Sequence, residues 1–131
     1  AIKYALETAG INSAEVDYIN AHGTATPLND LSETRALQTA FGEMAGQIPI
    51  SSTKSMTGHM MGATGAMEAI FCVKAITDAV APPTIHYSTP DPECNLDYIP
   101  NTAREIPIDI AISNSFGFGG HNSVLVFNKF K

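Results

Sequence analysis

Three stretches concentrate the side chains able to do chemistry: HGTATP at 22–27, SSTKSMTGH at 51–59 and SNSFGFGGHN at 113–122. His22 reads either as a strand-end histidine bonded to backbone or as a neutral imidazole donating to a substrate oxygen. His59 stands at the start of a predicted helix, where the positive helix end disfavours protonation of a nearby imidazole. A histidine held neutral there suits a developing oxyanion; the plainer reading is a polar helix start. Lys54 is nearly alone among uncharged residues, so it is either solvated or held by a specific carboxylate, and Glu68 is the partner to expect. Glu68 falls on the opposite helix face from His59, so its role is structural rather than catalytic. The FGFGG turn can offer backbone N–H groups to an anion. Phe116 and Phe118 serve there either as core plugs or as the lining of an acyl pocket.

Other motifs carry less. Ser51 to Lys54 is formally S-x-x-K, the pattern of serine acyl-enzymes, but no K-T-G follows. His22, His59, Cys94 and His121 lack the short spacing of a metal site. His86 and His121 read as loop and turn residues. FGFGGHN is not a dinucleotide fingerprint, because a strand follows it and Asn122 replaces the last glycine.

The elements that must position these residues follow from periodicity. Ala1 to Ala9 reads as a helix stopped by Gly10, and Val16 to Asn20 as a buried strand ending at His22. HGTATPLN is loop. Asp30 with Glu33 has capping-box spacing, so a helix is expected from Leu31 to Phe41, with Leu31, Thr34, Leu37 and Phe41 inward and Gly42 as its stop. Ile48 to Ser51 is a second strand. A helix apolar nearly all round runs from Gly58 to about Asp78, its Gly58, Gly62 and Gly65 implying a close neighbouring backbone. Pro82 to Pro107 is irregular, with short extended pieces. Ile108 to Asn114 and Ser123 to Phe130 form an antiparallel hairpin across the glycine-rich turn. The fold class is therefore α/β, layered, ending in that hairpin, with the motifs at strand ends where open sheets bind ligands.

Composition narrows the classes. In 131 residues there are 7 Lys+Arg and 13 Asp+Glu, giving a net charge of −6. A typical domain is about 25% charged, against 15% here beside 44% hydrophobic residues. Disorder is excluded, and so is a basic nucleic-acid surface. No apolar run is long enough for a membrane span, and the first residues read as a helix rather than a signal peptide. Cys72 and Cys94 are too few for a disulfide framework. Cytoplasm, plastid stroma or an organelle matrix fits. The charge deficit is greatest between Gly46 and Ser88, where only Lys54, Glu68, Lys74 and Asp78 are charged. That region is expected to be covered on both sides.

Taken together, YINAHGTATPLND, SSTKSMTGHMMGATGAMEAI and ISNSFGFGGHNSVLVF resemble the three downstream signatures of the β-ketoacyl-acyl-carrier-protein synthases. The likeness is to the elongating type II condensing enzymes, with a Cys–His–His set. It implies a thiolase-like fold, of which residues 1–131 are most of the C-terminal half. It also implies fatty-acid chain elongation by decarboxylative Claisen condensation of malonyl-acyl-carrier protein with an acyl-enzyme thioester. Under it, His22 and His59 are the catalytic pair and Lys54 supports the second histidine. Glu68 organises the site, and Thr24 and Thr26 bond the pantetheine arm. Phe118 is a gate whose N–H joins the oxyanion hole. A structural cation is implied near Asn20, Glu68, Ser113 and Asn114. No cofactor of the chain's own is implied, since pantetheine arrives on the carrier protein. The partners implied are acyl carrier protein, an N-terminal half and, when complete, a second copy.

The family nucleophile, a cysteine in a small-residue context, has no match: neither Cys72 nor Cys94 stands in one. The chain alone is expected to be inactive as a synthase and poorly soluble. A non-catalytic chain-length or interaction subunit is the alternative, though such a subunit would be expected to lose His22, Lys54 or His59. Carrier proteins of this family are acidic, so repulsion from a −6 chain places the basic docking patch elsewhere.

Overall fold

A computed structural model describes residues 1–130. The element order is α1 (Ile2–Ala9), β1 (Tyr18–Asn20), α2 (Pro27–Phe41), β2 (Ile50–Ser51), α3 (Lys54–Thr57), α4 (Thr64–Asp78), β3 (Val80–Ala81), β4 (Arg104–Glu105), β5 (Ile110–Phe116) and β6 (Asn122–Asn128). The main sheet has the order β2-β1-β5-β6. β1 runs parallel to β2 and to β5, with Ile19 opposite Ile50 and Ile112, and Asn20 opposite Ser51 and Ser113. β6 returns antiparallel to β5, from Ile110 opposite Asn128 to Phe116 opposite Asn122.

Strand period two sorts the core into two layers. Ile19, Ile110 and Ile112 face Ile2, Leu6, Leu37 and Phe41 of α1 and α2. Tyr18 and Ala111 face the other way, onto Cys72, Ala75 and Ile76 of α4. The parallel strands are covered on both faces, which explains their lack of alternating polar residues. β3 and β4 form a separate antiparallel pair that brackets the irregular 82–103 segment, as the proline content implied.

Two helices differ from expectation. α2 begins at Pro27 with Thr26 as N-cap, because proline's fixed φ suits the first helical position. Asp30 therefore lies within the first turn instead of capping it, and Glu33 is free for another task. The helix expected from Gly58 begins only at Thr64, and a further short helix precedes it. α3 ends at Gly58, whose φ of 68° and ψ of −177° are accessible essentially to glycine alone; a 3-10 turn at Met61–Ala63 then leads into α4. The close backbone approach expected at the glycines is not found: a Cβ at Gly58 or Gly62 would meet nothing, and one at Gly65 only the Ser115 hydroxyl at 3.8 Å.

α4 is covered on one side only. Thr64, Glu68, Cys72, Ala75 and Ile76 are buried, whereas Ile70 is 54% and Val73 46% exposed. The hairpin is present, with β5 shifted two residues toward the turn relative to Ile108–Asn114 and β6 running from Asn122 to Asn128 instead of Ser123 to Phe130.

Candidate functional site

The parallel strands deliver the first two motifs side by side. β1 ends at Asn20, and its next residues place His22, 8% exposed, at the sheet's edge. β2 ends at Ser51 and passes through Thr53 into α3, where Lys54 is the first residue. His59 follows the glycine stop. The two imidazoles meet edge to face, centroids 5.6 Å apart at 84°, and Phe116 covers His22 at 5.6 Å. Phe116 thus packs against the site. Phe118 is neither a core plug nor a pocket wall within this chain, being 95% exposed at the tip of the hairpin turn. The turn's Gly117 N–H is taken up by the His121 carbonyl at 2.7 Å.

Each histidine is held in a defined state. The Met61 N–H donates to His59 Nδ1 at 3.2 Å, which leaves the ring proton on Nε2; the Thr64 hydroxyl lies 3.2 Å from the same Nδ1. His59 therefore belongs to the turn before α4 and not to the helix start itself. His22 is pulled down from 6.5 to about 4, first by burial and then by the charges of Lys54 and His59. It is neutral at pH 7. Its Nδ1 is buried without a protein partner.

Lys54 and Glu68 form the expected ion pair, their side chains 5% and 2% exposed. Burial raises the Glu68 pKa and the Lys54 ammonium opposes that rise. A charged lysine fixed beside the imidazoles is a source of positive potential that does not depend on solvent.

The S-x-x-K reading finds no support: the Ser51 hydroxyl bonds Tyr18 at 2.7 Å inside the core, and Lys54 is engaged by Glu68. Cys72 is wholly buried, and its thiol is pushed up to about 12 by burial and by Glu68. Such a thiol is inert. Thr24 and Thr26 bond one another at 2.9 Å on the exposed loop. With Lys54, His59 and His86 they line a cavity of about 680 Å³ whose far wall includes Cys94 and Tyr98.

Glu33 is the residue that capping-box spacing hid. It is 4% exposed, and its carboxylate accepts the His22 and Gly23 backbone N–H groups, both at 2.9 Å, and the Asn114 amide at 3.1 Å. Its place four residues before Leu37 on the inward stripe of α2 was the available signal. Because those N–H groups point into Glu33, the site's donors toward a substrate are the imidazoles and not the HG backbone.

For the implied cation, Asn20 and Ser113 are cross-strand neighbours, and the Asn20 amide bonds the Thr53 hydroxyl at 3.2 Å. Glu68 Oε2 and Asn114 Oδ1 are buried oxygens without a protein donor. Hard, unpartnered oxygens are the right chemistry for a hard cation, so Glu68 and Asn114 fit one better than Asn20 does. Among the described residues, no three His, Cys, Asp or Glu side chains are grouped to hold a metal.

The model of the β-ketoacyl synthase C-terminal domain matches residues 1–88. The chain belongs to the β-ketoacyl synthases. It is 56% identical over all 131 residues to 3-oxoacyl-[acyl-carrier-protein] synthase 2 of Staphylococcus aureus strain COL, covering 32% of that protein. It is 53% identical to the Synechocystis protein of the same name, again over 32% of it. This β-ketoacyl synthase chain thus spans about a third of the length of the curated relatives it matches. Among solved structures, the AntDE ketosynthase in complex with its acyl-carrier protein AntF superposes with a TM-score of 0.97 at 45% identity, over 99% of this chain and 32% of that one. The ishigamide ketosynthase/chain length factor gives 0.95 at 41% identity, with 99% and 32% covered. The thiolase-like fold stands on these neighbours and on the sheet described above. No helix among the described residues is long and apolar enough to cross a membrane.

Proposed function

We propose that this chain supplies the decarboxylation and oxyanion machinery of an elongating 3-oxoacyl-acyl-carrier-protein synthase. The observation that carries the reading is His22, neutral and buried, set edge-on to His59 at 5.6 Å. A malonyl thioester carbonyl placed between them accepts hydrogen bonds from both imidazoles, with His59 Nε2 one of the donors. The bond from the α-carbon to the carboxylate carbon then breaks and carbon dioxide leaves. The electron pair passes into an enolate, whose oxygen the two N–H groups stabilise. The enolate carbon attacks the carbonyl of an acyl thioester, the new carbon–carbon bond forms, and the thiolate departs.

Cys72 is not that thiolate, and the PDPECNLD context of Cys94 is not the family's; the acylated cysteine belongs to a segment outside these residues. Thr24 and Thr26, at the mouth of the cavity, would bond the pantetheine arm. Phe118, exposed at the turn, would gate the site against that same outside segment. A hard cation, if bound, would be held by Glu68 and Asn114, with Asn20 and Ser113 as further oxygen donors, and would supply fixed positive charge to the site. An acyl carrier protein would dock through a basic patch elsewhere, and the complete enzyme would form a homodimer in a cytoplasm or plastid stroma.

The test is malonyl decarboxylation by the full-length protein carrying this chain. His22→Ala and His59→Ala should each lower the rate by roughly 100-fold or more, the usual effect of losing an oxyanion donor. Wild-type decarboxylation in both variants would remove the catalytic reading in favour of a chain-length or interaction subunit.

A further inference from the structure

The spacing of the two imidazoles needs a cause, because His22 and His59 arrive on different strands. Between their segments lies Ser52, which makes bonds in three directions. Its hydroxyl donates to the Gly23 carbonyl at 2.6 Å. Its N–H donates to the Thr84 hydroxyl at 3.0 Å, and its carbonyl accepts the Ser55 hydroxyl at 2.8 Å. Ser55 in turn accepts the Ile85 N–H at 3.0 Å. The His22–Gly23 loop, the Ser52–Ser55 segment that leads into Lys54 and His59, and the Thr84–Ile85 strap are thereby tied at one residue.

The tie is also steric. A Cβ at Gly23, where φ is +45°, would lie 2.5 Å from Ser52 Cβ and 2.6 Å from its hydroxyl oxygen. Only glycine lets the two loops come this close, and only a hydroxyl at position 52 then satisfies the carbonyl brought against it. Glu33 holds the same dipeptide from the opposite side through its N–H groups. The His22–Gly23 backbone is therefore gripped by Glu33 on one side and Ser52 on the other.

We infer that Ser52 is a positioning residue: with Gly23 it sets the separation of His22 from His59 for decarboxylation, acting through the His22–Gly23 backbone. This rests on the function proposed above. Decarboxylation depends on two donors converging on one oxygen, and misplacement by about 1 Å costs on the order of 100-fold in rate. Transfer of the acyl group to a cysteine outside these residues uses no such convergence.

The experiment compares Ser52→Ala with wild type in the full-length protein, following malonyl decarboxylation and self-acylation from an acyl-carrier protein separately. The expected result is a decarboxylation kcat lower by roughly 10- to 100-fold, with KM nearly unchanged and self-acylation at the wild-type rate. An unchanged kcat overturns the proposal. So does parallel loss of both half-reactions, including outright failure to fold, since that marks a general structural role. His22→Ala run alongside separates the two levels. If it leaves decarboxylation intact, the function itself is wrong; if it abolishes decarboxylation while Ser52→Ala does not, only the positioning role is.

Discussion

At the scale of single residues, His22 is tested by pH and the Lys54–Glu68 pair by substitution. The His22 imidazole should titrate near 4, against an ordinary 6.5, as an NMR pH titration would show. Its folded pKa is depressed, so its contribution to stability is complete above pH 6.5 and is lost as pH falls from there toward 4. In Lys54→Met the imidazole keeps its burial but loses the Lys54 charge that helps to depress it, and its midpoint should rise. That variant also strands Glu68, 2% exposed, and removing one partner of a buried pair costs about 3–5 kcal/mol. Lys54→Met/Glu68→Leu should recover most of that stability in chemical denaturation without recovering decarboxylation. Equal stability of the single and double variants would show that the pair is not desolvated. Glu33→Ala leaves two backbone donors unpaired, at roughly 1–3 kcal/mol each, and should unfold several degrees earlier by calorimetry.

At the scale of elements, what could be read from the chain depended on whether the signal was local. The α1 stop is legible because Gly10 takes the left-handed conformation, φ 67°, that ends a helix. The hairpin is legible because two apolar runs flank a glycine-rich turn. The Lys54–Glu68 pair could be anticipated because two lone charges in an apolar stretch need each other. The start of α2 is obscured because Asp30 and Glu33 mimic a cap while Pro27 begins the helix four residues before Leu31. The same local mimicry hides Glu33, whose partners His22, Gly23 and Asn114 come from two segments remote from α2, a convergence no window along the chain contains. The Ser52 contacts to Gly23 and Thr84 are as remote along the chain. The short helix before Gly58 is hidden because Ser52 to Thr57 carries almost no apolar periodicity; the backbone conformation of Gly58, not its neighbours, decides the boundary. Gly58→Ala should therefore lower the melting temperature by forcing a Cβ into that conformation, although the added methyl would meet no neighbouring atom.

At the scale of the whole molecule, the low charge of the chain has a location. Ile70 and Val73 form an apolar strip on the open side of α4, and Met60 and Met61 continue apolar exposure at its N-terminal end. Expressed as 131 residues alone, the chain should self-associate through this strip. Ile70→Lys/Val73→Glu should shift it toward monomer in sedimentation velocity; an unchanged distribution would place the association elsewhere. The sheet's two edges are also unlike. β2 has two residues, and its Ile50 N–H is capped by the Asp97 carbonyl at 2.8 Å. β6 has seven residues and no strand on its far side among the described residues. In hydrogen–deuterium exchange the two sides of that one strand should behave as different solvents: amides turned toward β5 exchange slowly and those turned outward exchange at once. A two-residue rhythm of protection along Asn122 to Asn128 would thus record which neighbours the strand has found, and uniform protection would reveal that the open edge had acquired a partner.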